Sequence, residues 1–161
     1  MSTINSVTFS AAAAASGSTA TTVDFAALDQ TSIKALGVGV FTSLSASDAA
    51  KISADAFAGI TNVQLAAIST TVFNKLTTDQ VSSLSASHIT SLATSKIQAL
   101  STTQIGAMDA SLIAALTQTQ VAALTTTQIG KLSEEQVGSL NSVGLTALQI
   151  NTLSTAQVGA L

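Results

Sequence analysis

Apolar residues recur along most of this chain at two fixed positions of an eight-residue repeat. When each octad is numbered from its leucine, position one holds Leu, Ile or Met, and position six holds a second apolar residue. Residues 124–140, LTTTQIGKLSEEQVGSL, show two octads in series. Position six is occupied in chain order by Phe25, Ile33, Phe41, Ala49, Phe57, Leu65, Phe73, Val81, Ile89, Ile97, Ile105, Ile113, Val121, Ile129 and Val137.

A continuous helix does not fit this spacing. Eight residues at about 100° each overshoot two helical turns by roughly 80°, so the apolar stripe would wind around the helix and leave no face to pack. A β-solenoid is also disfavoured, because positions one and six lie five residues apart and would point to opposite faces of a strand. The pattern therefore predicts a short helix that breaks and restarts in every octad.

The polar positions supply the restart signal. Position two is mostly Ser, Thr or Asp, and position five drifts toward Gln. Ser/Thr-x-x-Gln is a capping box, and the Leu before the cap and the Val or Ile after it match a hydrophobic staple. Each octad is thus predicted to form one helix of about six residues, kinked at the Leu-Ser/Thr junction.

The phenylalanines suggest a longer period. Phe9, Phe25, Phe41, Phe57 and Phe73 stand sixteen residues apart. Because a single octad buries too little to fold alone, neighbouring octads must stack. We expect an all-α solenoid of very short capped helices, one per octad and two per 16-residue coil, with Phe stacked on Phe.

Small residues at positions seven and eight indicate that neighbouring helices approach closely. Gly130, Gly138 and Gly159 continue this trend, and each costs a helix about 1 kcal/mol relative to Ala. A packing reason is therefore expected for these glycines.

The chain divides into two parts. Residues 1–19 form an N-terminal segment that fits the repeat poorly and is expected to be partly irregular. Residues 20–161 form the octad repeat, with a register slip at 140–145, where Leu145 follows Leu140 by five residues. The pattern stops at Leu161 in mid-repeat, which suggests a fragment or an open end.

The low charge of the chain limits the kinds of molecule that it is expected to bind. Charged residues make up 8% of the chain, against roughly 25% in typical globular proteins, so the exposed positions are mainly uncharged and polar. The net charge is −3, the five lysines are scattered singly and arginine is absent, which argues against nucleic-acid binding. No stretch approaches the 18 apolar residues of a membrane span, and no cleavable signal peptide is evident. Cysteine is absent, so the redox compartment of the protein cannot be inferred from cysteine usage.

Few residues suggest chemistry. His88 is the only histidine and occupies position five, where Gln stands elsewhere, so it is predicted to replace Gln as a cap partner. Catalytic triads and zinc sites need clusters of reactive side chains, whereas the aspartates here are dispersed. Asp29 and Asp109 are predicted helix caps, and Glu134 and Glu135 fall in a first turn. We predict no catalytic, cofactor-binding or metal-binding residues and no enzymatic activity.

The segments LTTDQVSSL, LTQTQVAAL, LTTTQIGKL and LSTAQVGAL resemble the LTxxQVxxL repeat tracts of large bacterial surface or secreted proteins, adhesin-like proteins exported by type I systems. The resemblance extends from about residue 20 and is best after Leu76. It implies an extracellular or cell-surface location. The Leu-Thr-x-x-Gln-Val start is also similar to the opening helix of DNA-reading plant-pathogen effector repeats, but their longer repeat and base-reading loop are missing, so DNA binding is not implied.

The expected function is that of a structural or interaction repeat module, acting as a spacer, scaffold or adhesive region of an extracellular bacterial protein. An open end would expose apolar positions and could stack on another copy, giving a homo-oligomer or filament. A cell-surface or matrix partner is also expected. The alternative is a module that binds a regular ligand, such as glycan or ice, through its Ser/Thr-rich face.

Overall fold

A computed structural model describes residues 23–161, and this part of the chain is helical and contains no strand. The prediction for residues 1–19 lies outside the described residues. The α-helices are four to six residues long, and two 3-10 turns accompany them, at Phe25–Ala27 and Ser142–Gly144. The helices are α1 (Gln30–Ala35), α2 (Val38–Thr42), α3 (Ala46–Ala49), α4 (Ala54–Phe57), α5 (Asn62–Ala67), α6 (Thr70–Phe73), α7 (Thr78–Ser82), α8 (Ala86–Ser91), α9 (Thr94–Ala99), α10 (Thr102–Gly106), α11 (Ala110–Ala114), α12 (Gln118–Ala123), α13 (Thr126–Ile129), α14 (Glu134–Gly138), α15 (Ala147–Ile150) and α16 (Thr155–Gly159).

Most helices start as the capping pattern predicts, whereas α2 and α9 have N-caps, Gly37 and Ala93, that make no side-chain bond. At the start of α13, Leu124 and Thr125 are both extended, with ψ of 137° and 156°. The Thr125 hydroxyl accepts from the Gln128 backbone N–H at 3.1 Å, and Gln128 Oε1 accepts from the Thr125 N–H at 2.8 Å. The capping box is confirmed in the same reciprocal form at Thr61, Thr77, Ser85, Ser101, Thr117, Ser133, Thr146 and Ser154. Two to four residues separate successive helical elements, and two separate α12 from α13.

Positions one and six form one continuous core. Ile89, Ile105 and Ile129, all at position six, are completely buried, and the position-one residues Leu100 and Leu132 are nearly so. Because a four- to six-residue helix is not stable in isolation, this shared core must supply most of the stabilisation. The predicted division between buried and exposed positions is confirmed over most of the described chain.

Helices pack against the third helix along the chain. Thus α2 contacts α5, α5 contacts α8, α8 contacts α11 and α11 contacts α14. The other helices follow the same rule, including α1 with α4, α6 with α9 and α10 with α13. Contacting helices are therefore three octads apart.

The expected coil of two helices and 16 residues is therefore wrong. Such a coil would bring each helix against the second helix along, and Phe41 would lie against Phe57. Instead Phe41 belongs to α2, which packs on the helix of Leu65, and Phe57 belongs to α4, which packs on the helix of Val81. The reason is that the chain meets itself again only after three helix–junction units, as the contacts of α1 with α4 and α4 with α7 show. The phenylalanine period does not coincide with the contact period.

The register slip keeps this order of contacts. The shortened octad forms the 3-10 turn Ser142–Gly144, which packs on α12 in the place of a full helix. A Cβ at Gly144 would lie 2.7 Å from the backbone oxygen of Gln118, a distance that requires glycine. The following helices α15 and α16 then pack on α13 and α14.

The expected packing reason for the glycines holds only in part. A Cβ at Gly138 would lie 2.9 Å from the backbone oxygen of Ala160, and one at Gly130 would lie 3.3 Å from that of Thr126. A Cβ at Gly159 would meet nothing within 4 Å, so close packing does not explain that residue. Gly138 and Gly159 hold the same octad position, and they differ because α16 packs on α14, whereas no helix among residues 23–161 packs on the other side of α16.

Candidate functional site

The buried polar side chains at position five join separate octads. Gln128 caps its own helix through Oε1, and its Nε2 donates to the backbone oxygens of Ile97 at 2.9 Å and Leu100 at 2.7 Å. Those oxygens belong to the end of α9 and the junction after it, 31 and 28 residues earlier. One amide therefore satisfies a helix start and, at the same time, the carbonyls of an earlier helix end.

The same arrangement recurs along the chain. Gln104 donates to the backbone oxygens of Phe73, Asn74 and Leu76. Gln136 donates in the same way to three backbone oxygens that lie 28 to 31 residues before it in the chain. We refer to the buried polar side chains at this position as the donor set. Its members are Gln64, Gln80, His88, Lys96, Gln104, Gln120, Gln128, Gln136, Gln149 and Gln157. Within residues 23–161, no buried side-chain nitrogen or oxygen lacks a hydrogen-bond partner.

Lys96 shows that donation, and not capping, is the shared role of this position. An ammonium cannot accept a hydrogen bond, and the N-cap of α9 is Ala93, which makes no side-chain cap. Lys96 Nζ instead donates to three backbone oxygens, those of Leu65, Ala66 and Ile68, each at 2.7 Å. Burial lowers the pKa of the Lys96 ammonium, while the three carbonyl dipoles favour its charged form.

His88 performs both tasks of the glutamine that it replaces. Its Nδ1 accepts from the Ser85 backbone N–H at 3.1 Å, and its Nε2 lies 2.7 Å from the backbone oxygen of Ile60. Only the neutral tautomer with its proton on Nε2 satisfies both contacts. Burial lowers the pKa of His88, and the bond to Ile60 opposes this in part. The prediction that His88 is a substituted cap partner is confirmed.

An open groove of about 670 Å³ lies beside this histidine. Gln30, Lys34, Asn62 and Ser85 contribute polar groups to its wall. Its lining contains no carboxylate that could orient His88 as a general base, and both ring nitrogens of His88 already have internal partners. The groove offers hydrogen-bonding groups without an assembled nucleophile and base.

The acidic residues serve the helix starts. Asp29 and Asp109 are N-caps as predicted. Backbone donation from Ser32 lowers the pKa of Asp29, and the Ser111 hydroxyl together with the Leu112 N–H lowers that of Asp109. Glu134 and Glu135 lie in the first turn of α14, where a negative charge complements the helix dipole. In the described part of the chain, no three His, Cys, Asp or Glu residues come together as a metal site would require.

Residues at position four lie on the outer surface. Thr103, Thr127 and Asp79 are exposed at the starts of α10, α13 and α7, and these three helices are neighbours. Most exposed large apolar side chains lie elsewhere, on the last elements of the chain: Val143, Leu148, Ile150, Val158 and Leu161. The described part of the chain therefore exposes hydroxyl groups along its helix starts and a cluster of apolar side chains on its last elements.

Comparison with known protein families, curated proteins and solved structures finds no match to this chain. None of the helices described between residues 23 and 161 has the length and apolar character needed to cross a membrane.

Proposed function

We propose that this chain is a non-enzymatic structural and interaction module, built as a helical solenoid with three short helices per coil. It serves as a spacer, scaffold or adhesive region of an extracellular bacterial protein. The observation that supports this most directly is the donor set. The donor set contains the polar groups most suited to catalysis, and these groups are instead used in hydrogen bonds between octads.

The pattern of contacts suits a spacer. Because each inner helix packs on an element three octads before it and on another three octads after it, every octad depends only on nearby octads. Such repeat proteins behave as quasi-one-dimensional bodies whose length grows with the number of repeats. Bonds from Gln128 and Gln104 to carbonyls of earlier helices add directional cross-links that resist sliding of one coil over another.

The extracellular assignment rests on the resemblance of the octads to surface-protein repeats. The low share of charged residues and the exposed Ser and Thr side chains agree with a module that presents a neutral, hydrated surface. A protein that acts mainly by its dimensions needs no pocket with convergent reactive groups.

Length is the property to test. A second copy of residues 101–124, inserted after Leu124, adds one complete coil of three octads. Small-angle X-ray scattering is expected to show the maximum dimension increasing by about 10 Å, the usual spacing of packed helices, at constant cross-section. The control carries Asp at the three inserted position-six residues and cannot form the core. An unchanged maximum dimension, or a thicker cross-section, would contradict the proposal.

A second candidate function is binding of a regular ligand, glycan or ice, through a hydroxyl-rich face. The supporting observation is that α7, α10 and α13, which contact one another in series, each start with consecutive hydroxyl residues, as in Thr102–Thr103 and Thr126–Thr127. Glycan arrays and thermal-hysteresis measurements test this. Replacing the exposed Thr103 and Thr127 with Lys should abolish any signal and leave the circular dichroism spectrum unchanged. If the native chain gives neither glycan binding nor thermal hysteresis, this candidate function is excluded.

A further inference from the structure

His88 is the member of the donor set whose hydrogen bonds require it to be uncharged. The glutamines of the set carry an amide that does not titrate. Lys96 donates as an ammonium, and an ammonium keeps its charge when the pH falls. His88 instead accepts from the Ser85 N–H through Nδ1 and meets the backbone oxygen of Ile60 through Nε2. Among the ten side chains of the set, only this one changes charge close to neutral pH.

Protonation of His88 is incompatible with its position. An imidazolium donates from both ring nitrogens, so its Nδ1–H would point at the Ser85 N–H, which lies 3.1 Å away. The capping box at the start of α8 then loses the bond from the side chain to the N-cap. Relief of this contact requires the ring to leave the Ser85 N–H, and that movement also breaks the bond to Ile60.

The bond to Ile60 is one of few that attach α8 to the preceding coil. Helix α8 packs on α5, and two side-chain hydrogen bonds accompany this contact. One joins His88 to Ile60 at 2.7 Å, and the other joins Asn62 to the Ser87 hydroxyl at 3.2 Å. The second bond is exposed, so water can replace it at little cost. Loss of the first bond therefore leaves α8 held mainly by the apolar packing of Ile89.

The helices around α8 supply no negative charge to hold an imidazolium. Helix α5 has no charged side chain, and α8 has none besides His88. Helix α11, on the other side of α8, is preceded by Asp109, whose carboxylate is engaged at the start of its own helix. In the adjoining octads, Asp79 is exposed on the outer surface and Lys96 is bound to its own three oxygens.

The groove beside His88 also disfavours a positive charge. Its lining comes from α1, from the junction between α4 and α5, and from α8, and the charged side chain in that lining is Lys34. A like charge opposes protonation of His88. The carboxylates of α1 and α4 are engaged elsewhere, since Asp29 accepts from the backbone N–H of Ser32 and Asp55 accepts from Gln30. The folded octad therefore resists the proton, and an open octad would accept it.

We propose that the octad of His88, residues 84–91, is an acid-operated joint, in which protonation of His88 detaches α8 from the junction between α4 and α5 while the coils on either side stay packed. The opening is local because Gln80 and Lys96, the donors of the two adjoining octads, keep their bonds in acid. The joint rests on the proposed spacer function and adds a regulation to it, since an acidified spacer would become flexible at one level. Burial lowers the pKa of His88 in the closed octad, so closure is favoured above about pH 6.5 and is lost as the pH falls below that value.

Hydrogen–deuterium exchange at about pH 7.5 and about pH 5, corrected for intrinsic rates, tests the joint through local protection. In the native chain, protection of residues 84–91 should fall by up to about tenfold per pH unit below about 6.5. Protection of residues 124–131, which contain Gln128 in place of a histidine, should stay constant. His88→Gln is the matched control and should remove the loss. An acid-insensitive native octad, an equal loss in the Gln variant, or a uniform loss over all octads would overturn the proposal.

Gln128→His is the converse test. Gln128 accepts from the Thr125 N–H and donates to the oxygen of Leu100, the same two bonds that His88 makes. The variant should therefore acquire a second acid-sensitive octad at residues 124–131, and circular dichroism at neutral pH checks that it is folded. A folded variant without this response would refute the mechanism, and if the variant does not fold, the comparison of the native chain with His88→Gln decides.

The length measurement separates the joint from the spacer function. A chain that lengthens by one coil spacing on insertion of residues 101–124, yet shows no acid-dependent opening at residues 84–91, would refute the joint and leave the spacer function standing. A chain that opens in acid at residues 84–91 but does not lengthen on insertion would support the local opening and refute the spacer function.

Discussion

The exchange of Gln128 for Glu separates the two tasks of the donor set. In a capping box alone, Glu and Gln are interchangeable, because either side chain can accept from the N-cap N–H. In this structure, however, Nε2 of Gln128 also donates to the oxygens of Ile97 and Leu100. A carboxylate keeps the first bond and places a negative oxygen against the two carbonyls. We therefore expect Gln128→Glu to be destabilising although it preserves the cap.

The size of the effect follows from the bonds lost. Gln128 is 2% exposed, so water cannot replace its amide at the two carbonyls. Loss of two buried hydrogen bonds costs about 1 kcal/mol each, and an unpaired buried charge adds a few kcal/mol. The free energy of unfolding should fall by about 3 to 5 kcal/mol at pH 7. Gln128→Lys keeps a donor and loses only the cap acceptor, so it should cost about 1 kcal/mol.

Urea unfolding followed by far-UV circular dichroism measures both variants. The chain lacks Trp and Tyr, which rules out the usual fluorescence probes. The midpoint should shift far more for Gln128→Glu than for Gln128→Lys, at an unchanged slope. Near pH 4 the introduced carboxyl becomes largely protonated and can donate to a carbonyl, so the deficit of the Glu variant should shrink. A Glu variant as stable as the native chain, or a Lys variant that is the weaker of the two, would refute the donor role.

Three further outcomes test other parts of the fold by the same unfolding assay. Ala93→Ser should stabilise the chain by about 1 kcal/mol, because the new hydroxyl can accept from the Lys96 backbone N–H at an N-cap that has no side-chain cap; an unchanged urea midpoint would contradict this. The pKa of His88 is lowered in the fold, so the unfolded chain binds a proton at this residue more readily than the folded chain does. The stability that His88 contributes above about pH 6.5 is therefore lost as the pH falls through the folded pKa. His88→Gln should remove this pH dependence, and an identical pH profile for both chains would exclude the role of His88 in it. Gly138→Ala should destabilise, because its Cβ would lie 2.9 Å from a backbone oxygen of α16, whereas Gly159→Ala should stabilise by up to about 1 kcal/mol in an open position; equal effects at the two sites would contradict the packing argument.

Local features of the fold could be predicted from the octad alone. The cap, the box, the staple and the two core positions all act within one repeat, so residues such as Thr125, Gln128 and Ile129 carry enough information to place a helix start and its buried face. The predicted Leu-Ser/Thr breaks and the cap roles of Asp29 and Asp109 are confirmed for the same reason.

The arrangement of the helices in space could not be predicted from the sequence of a single octad. The angle between successive helices depends on packing between octads that are far apart in sequence, and the Phe41–Phe57 spacing suggested a contact period that the structure does not have. The inward role of position five was missed although a signal was present. Where that position is polar and buried it holds Gln, once His and once Lys, but never Glu. A cap partner alone would permit Glu, so its absence together with Lys96 indicates a required donor.

The bonds of the donor set all run in one direction along the chain. Gln64 reaches back to Ile33 and Leu36, and Gln157 reaches back to Leu132. During synthesis, which proceeds from the N-terminus, the acceptors of each octad have therefore always been made before its donor leaves the ribosome. Every new octad can dock on a finished surface without waiting for later sequence. The direction of these side chains thus suits the protein to vectorial, octad-by-octad folding as it is translated.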